Sequence, residues 1–161
     1  MRKLKRHQTG ITLVEFSIIG SLFLLLLFAI LELAIYVYHL QSMNDISRRT
    51  ARIAAVCVVN DPDIKPLALS EGAPPGFSTD NIQIDYLKGN GNVITDPVND
   101  HQYIRFVQAR IINFNYGFTQ LLNFLGDNGI VQVQDFKTVL PAESLGVLRA
   151  DDPDEKTDCL I

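Results

Sequence analysis

Two acids stand where acids are costly. Glu15 and Glu32 interrupt a run that is otherwise apolar from Ile11 to Tyr38. A carboxylate at the centre of a membrane helix costs roughly 2.5–3.5 kcal/mol, so each acid needs a cation or a polar edge. Just before the run stands Gly10, followed by Ile11, Thr12, Leu13, Val14, Glu15 and Phe16. Glycine has no side chain, so a protease can approach its backbone closely. A cut after Gly10 would give Ile11 a free α-amino group, and that amine in a neighbouring subunit is a suitable partner for Glu15. The same cut would remove Arg2, Lys3, Lys5 and Arg6, the charges that resist leaving the membrane. The plainer reading of Glu15 is a carboxylate at headgroup level, in the first turn of a helix, where it favours the helix dipole. For Glu32 the plainer reading is a side chain reaching the outer interface beside Tyr36 and Tyr38. Pairing with a neighbouring subunit is its alternative.

The other reactive side chains form no catalytic set. Cys57 and Cys159 are too far apart in sequence for a CxxC pair and have no cluster of histidines, so a metal site is not expected. In an exported domain they are a disulfide candidate. The bond would close a loop of about a hundred residues and contribute about 4–5 kcal/mol by restricting the unfolded chain. The alternative is a buried Cys57 and a free thiol in the tail. Asp151, Asp152, Asp154 and Glu155 form an acidic run, and Asp61 and Asp63 a smaller one. Neither has the ligand spacing of a calcium loop, and a solvated tail is the simpler reading. His7, His39 and His101 are scattered, and phosphate-binding glycine patterns are absent. No enzymatic activity and no cofactor are expected. The net charge of −4 argues against nucleic acid as a partner.

These residues need elements to hold them. The chain has 161 residues, 47% of them apolar and 20% charged, which allows an anchor and one small domain. Residues 18–38 would form a helix of roughly 30 Å, one bilayer core. The four basic residues before the span and the amino terminus outweigh Arg48, Arg49 and Arg52 after it, so the C-terminal part should face outward. A cleaved signal peptide would have a shorter apolar stretch and a small-x-small site. Beyond the span, Leu40, Met43, Ile46, Thr50, Ile53 and Cys57 recur at three- and four-residue spacing, an amphipathic continuation. No proline or glycine falls between Ser21 and Val59, and Asn60, Asp61 and Pro62 supply a stop. The periodicity predicts one helix over about 12–58, although a membrane helix followed by a separate amphipathic helix fits too.

Residues 61–80 read as a loop. Ile82, Ile84 and Tyr86 alternate as in a half-buried strand, and Gly89, Asn90, Gly91 and Asn92 signal a turn. Residues 93–95 could return as a short partner. Residues 103–116 are the longest strand candidate, with Ile104, Phe106, Ile112, Phe114 and Tyr116 on one parity. Residues 120–125 are a loop or helical turn. A final strand is expected over 130–140, with Val131, Val133 and Val139 on one parity. The fold class is α+β. A long N-terminal helix, its lower half in the membrane, packs against a small antiparallel sheet of three or four strands.

Gly10 followed by Ile11, Thr12, Leu13, Val14 and Glu15 resembles the prepilin processing motif of type IV pilins and pseudopilins. Phe16 after Glu15 is similar to the Flp, or tight-adherence, branch. Asn115, Tyr116, Gly117, Phe118 and Thr119, with Leu121, Leu122, Leu125 and Gly126, resemble a strand-end segment of TadE-like pilus assembly proteins, with Gly117 where a proline is expected. Leu140, Pro141, Ala142, Glu143, Ser144, Leu145 and Gly146 are similar to the segment that closes the family's shared region. The resemblance implies a minor pilin or pseudopilin of a Flp-type pilus. An inner-membrane prepilin peptidase would cut it after Gly10, leaving a leader of 1–10, a helix of 11–58 and an extracytoplasmic domain of 59–161. Its partners would be the bacterial inner membrane, the peptidase, the major pilin and other minor pilins. The alternatives are a secretion-system pseudopilin and an uncleaved, single-pass anchored binding protein.

Overall fold

The structure, a computed structural model, describes residues 9–69, 72–118, 122, 124, 126–147 and 159. The N-terminal element is a single helix, α1 (Thr9–Val56), of 48 residues. With 1.5 Å of rise per residue it is roughly 70 Å long. Thus the anchor and the amphipathic segment are one rod, and the two-helix alternative is set aside.

The two halves of α1 bury different amounts. In the upper half Met43, Ile46, Ser47, Thr50, Ala51, Ala54 and Ala55 are buried. Their spacing of three and four residues draws one stripe along the helix. Four of these seven are Ala or Ser, so the sheet approaches the helix backbone closely. After α1 the chain turns through Asn60, whose φ is 62°, and enters α2 (Ile64–Leu69). This short helix replaces part of the loop expected over 61–80. Asp61 starts it, accepting the Asp63 N–H on Oδ1 at 2.9 Å, and Ile64 and Ala68 bury their side chains.

The sheet has the strand order β1 (Ile82–Leu87), β2 (Phe106–Ile111), β5 (Lys137–Pro141), and all pairs are antiparallel. A separate hairpin joins β3 (Asn115–Gly117) to β4 (Ile130–Gln132). The sequence pattern therefore predicts the layer correctly but runs two strands together. Asn113, with φ 53°, bends the chain between β2 and β3. Within β2 the buried residues facing α1 are Val107, Ala109 and Ile111, so the parity expected from Phe106 does not hold there. Ala109, fully buried on the central strand, lets α1 lie against the sheet. The strand expected over 130–140 likewise separates into β4 and β5. Thr138 of β5 meets Ser47 of α1, hydroxyl to hydroxyl at 2.6 Å. The short partner expected at 93–95 is a single bridge from Val93 to Leu87.

The top of α1 is closed from far away in sequence. Its last turn carries neither a basic side chain nor a capping glycine. Instead Glu143 and Leu145 donate their N–H groups to Ala55 O, at 3.1 and 3.3 Å. Gly146 N–H and Ser144 Oγ donate to Val56 O, at 2.6 and 3.0 Å. Helix ends leave carbonyls without intrahelical donors, and this loop supplies them. Gly146 has φ 78°, and a Cβ there would lie 2.8 Å from Val58 Cα and N. Only glycine fits.

Candidate functional site

The lower half of α1 is an apolar surface that its own chain leaves bare. Every Leu, Ile, Val and Phe from residue 13 to residue 31 is exposed, Leu27 least at 38%. In water such a surface would be strongly unfavourable, at about 25 cal/mol for each Å2. The helix is long and apolar enough to cross a membrane, and its most apolar stretch is only 6% buried. A core helix of a soluble protein would be covered. Its hydroxyls suit an apolar medium as well. Ser17 Oγ donates to Val14 O at 2.8 Å and Ser21 Oγ to Ile18 O at 2.9 Å, so neither needs water.

Gly10 and Ile11 are in the first turns of this helix, and their backbone is helical. Glu15 and Phe16 are exposed on it, Phe16 at 78%. Glu32 is elsewhere in kind. It lies 17 residues further along, roughly 25 Å up the rod, and is buried. The domain covers it. Glu32 lines a cleft of about 700 Å3 with Phe28, Leu31, Ile35 and His39 from α1, and with Pro75, Phe114, Asn115, Tyr116 and Gly117 from the domain. Glu32 is thus covered by the chain's own domain, unlike Glu15, which is exposed on the helix. Rings close the upper side of the cleft. Tyr116 lies 5.0 Å from Tyr36 and 5.5 Å from His39, and Phe118 lies 5.2 Å from Tyr36. Burial, with Glu32 and Tyr36 nearby, pushes the Tyr116 hydroxyl pKa up.

Cys57 and Cys159 are joined, with a Cα–Cα distance of 5.6 Å. Asp61 holds the same junction. Its Oδ2 accepts the Cys159 N–H at 3.0 Å while Oδ1 accepts the Asp63 N–H just ahead of α2. Beside it, Tyr86 is buried and its hydroxyl accepts the Asn60 N–H at 3.1 Å. Burial pushes the Tyr86 pKa up. The Asn60 hydrogen bond opposes this, and the charge of Asp61 adds to it. Sequence reasoning read Asp61 as part of a stop signal and of a small acidic run, and its link to the tail needed the fold. The acidic run of Asp151, Asp152, Asp154 and Glu155 lies outside the described residues, as do residues 1–8 and most of 120–125. Among the described residues no group of three or more His, Cys, Asp or Glu could hold a metal ion.

The class is therefore a single long helix, bare and apolar below, carrying a small α+β domain above. The family model described as TadE-like protein matches residues 10–52, from Gly10 to within a turn of the top of α1. The match supports a TadE-like pilus assembly protein. No curated protein and no solved structure matches it.

Proposed function

We propose that this chain is a minor pilin or pseudopilin that takes part in assembling a Flp-type tight-adherence pilus. A prepilin peptidase cuts it after Gly10. Until assembly it sits in the bacterial inner membrane with its N-terminus cytoplasmic and its domain outside. One observation carries the reading: the family match begins at Gly10 and runs along a helix whose lower half has no cover of its own. Lipid covers that surface before assembly, and the helices of the major pilin and other minor pilins cover it afterwards. Glu15 is an exposed acid on this apolar surface. Cleavage creates an α-amino group at Ile11 of each subunit, and the Glu15 carboxylate of the next subunit receives it. Two opposite charges leaving water together cost less than either alone. The disulfide between Cys57 and Cys159 suits a domain on the oxidising side of the membrane.

N-terminal sequencing of the membrane-extracted protein tests this, with and without a prepilin peptidase. The expected mature chain begins at Ile11 only when the enzyme is present, and Gly10→Ala accumulates uncut. A chain that begins at Met1 beside an active peptidase overturns the reading and leaves a single-pass anchored binding protein.

A further inference from the structure

The cleft that holds Glu32 lies where the barest part of α1 ends. Below it every Leu, Ile, Val and Phe from residue 13 to residue 31 is exposed, a stretch of roughly 28 Å, close to one bilayer core. Phe28 and Leu31 belong to both surfaces. They line the cleft, yet they stay 58% and 55% exposed. The cleft therefore opens onto the apolar surface of the helix. Its polar group is close to that opening, because Glu32 stands one turn above Phe28 on the same helix face and is only 6% exposed. The ring of Tyr116 forms part of the facing wall, 5.0 Å from Tyr36 and 5.5 Å from His39. Among the described residues the lining includes no Lys or Arg. With a volume of about 700 Å3 the cleft has room for a small ligand, whose sites span roughly 300–1,000 Å3.

We propose that this cleft binds an aminophospholipid, with the primary ammonium of phosphatidylethanolamine at Glu32 and the acyl chains running down α1 past Phe28 and Leu31. The site depends on α1 crossing the membrane and not on the cut after Gly10. A carboxylate that leaves water is stabilised by positive charge and by hydrogen-bond donors together. A primary ammonium brings one charge and three N–H donors, and the face of a tyrosine ring attracts cations as well. It joins any contacts Glu32 makes within the domain, because a carboxylate has about four acceptor positions. A trimethylammonium group brings the charge without the donors, so a choline lipid fits less well. An anionic lipid without an amine brings only repulsion. The two ends of the cleft match the two ends of the lipid: an acid beside a ring for the headgroup, and an apolar helix face for the chains. Until assembly, the lipid shields Glu32 and fills the gap between the domain and α1.

The full chain is purified in detergent. Phosphatidylethanolamine, its N,N-dimethyl derivative and phosphatidylcholine, all with the same acyl chains, are titrated against it, and native mass spectrometry counts the lipid bound to each chain. One phosphatidylethanolamine per chain is expected, bound roughly tenfold tighter than phosphatidylcholine, as one hydrogen bond to a charged group allows, with the dimethyl lipid between them. Glu32→Gln should bring the three lipids to one affinity. It should keep the Cys57–Cys159 bond and the unfolding temperature measured without lipid. Asp45→Asn, at an exposed acid higher on α1, should keep the wild-type order. If Glu32→Gln does not fold, the lipid series on the wild-type chain decides by itself. Equal affinities across that series, or an order that survives in Glu32→Gln, overturn the site. Glu32-dependent dimers that bind no lipid overturn it too, since a cation of a second copy then fills the cleft. Flotation with phosphatidylcholine vesicles reads the anchor separately. A chain that floats but shows a flat series loses the site alone, and one that does not float loses the membrane span and the site with it.

Discussion

The two halves of α1 are one helix with two surroundings. Below, large side chains such as Phe16, Phe23 and Leu24 are exposed. Above, small ones such as Ser47, Ala51 and Ala54 are fully buried beneath the sheet. Where the cover is lipid or another subunit, bulky residues suffice because the partner adapts. Where the cover is a sheet of fixed register, each volume must fit, since interiors are packed like crystals. The lower half is therefore tolerant by itself and demanding only in assembly, while the upper half is demanding in every molecule.

The comparison is easiest to break at the top of the rod. Cys159→Ser should cost about 4–5 kcal/mol of domain stability, because the bond closes a loop with a separation of 102 residues. Chemical denaturation in detergent, with and without reductant, reads it, and no shift on reduction would contradict the joined geometry. Next, Ile46→Ala should cost about 2–5 kcal/mol and Leu24→Ala close to nothing in the same assay. Equal costs would mean the lower half is covered within the monomer. Gly146→Ala should then cost about 1–3 kcal/mol, because it strains a left-handed residue and drives a methyl into Val58. A neutral result would mean the helix end does not depend on that loop.

The smallest effect is one of pH. Burial raises the folded-state pKa of Tyr86 above its ordinary 10.0. The neutral phenol is thus favoured by folding. Its contribution is fully present below about pH 10 and is lost as pH rises through the higher folded pKa. Tyr86→Phe should flatten that alkaline fall, measured by thermal unfolding across the range. It should also lower stability at neutral pH by about 1 kcal/mol through the lost Asn60 hydrogen bond.

Much of this was legible in order along the chain. The uninterrupted apolar run and the stripe at Met43, Ile46 and Thr50 follow from a period of 3.6 residues, so α1 could be read directly. Alternation at Ile82, Ile84 and Tyr86 likewise marked β1. Breaks were harder. Asn113 ends β2 by adopting a left-handed conformation that asparagine allows but does not announce. Parity in β2 was misread because Ala109 faces the helix, and alanine weighs little in a hydrophobic pattern. Glu32 illustrates the same gap in the site. As a sequence position it is an acid near a membrane boundary, whereas in the fold it is buried beneath Tyr116 and its neighbours.

Local pattern determined the rod, its apolar lower half and the α+β class, because each depends on neighbours only a few residues apart. The tertiary structure alone decided what lies against what. It set the loop from Glu143 to Gly146 on the end of α1, the Asp61 carboxylate against the backbone of Cys159, and the hairpin over Glu32. Those contacts join segments 80 or more residues apart, and their energy comes from geometry that no local pattern encodes: a carbonyl left open at a helix end, a space with room only for glycine, an acid that one hairpin happens to cover.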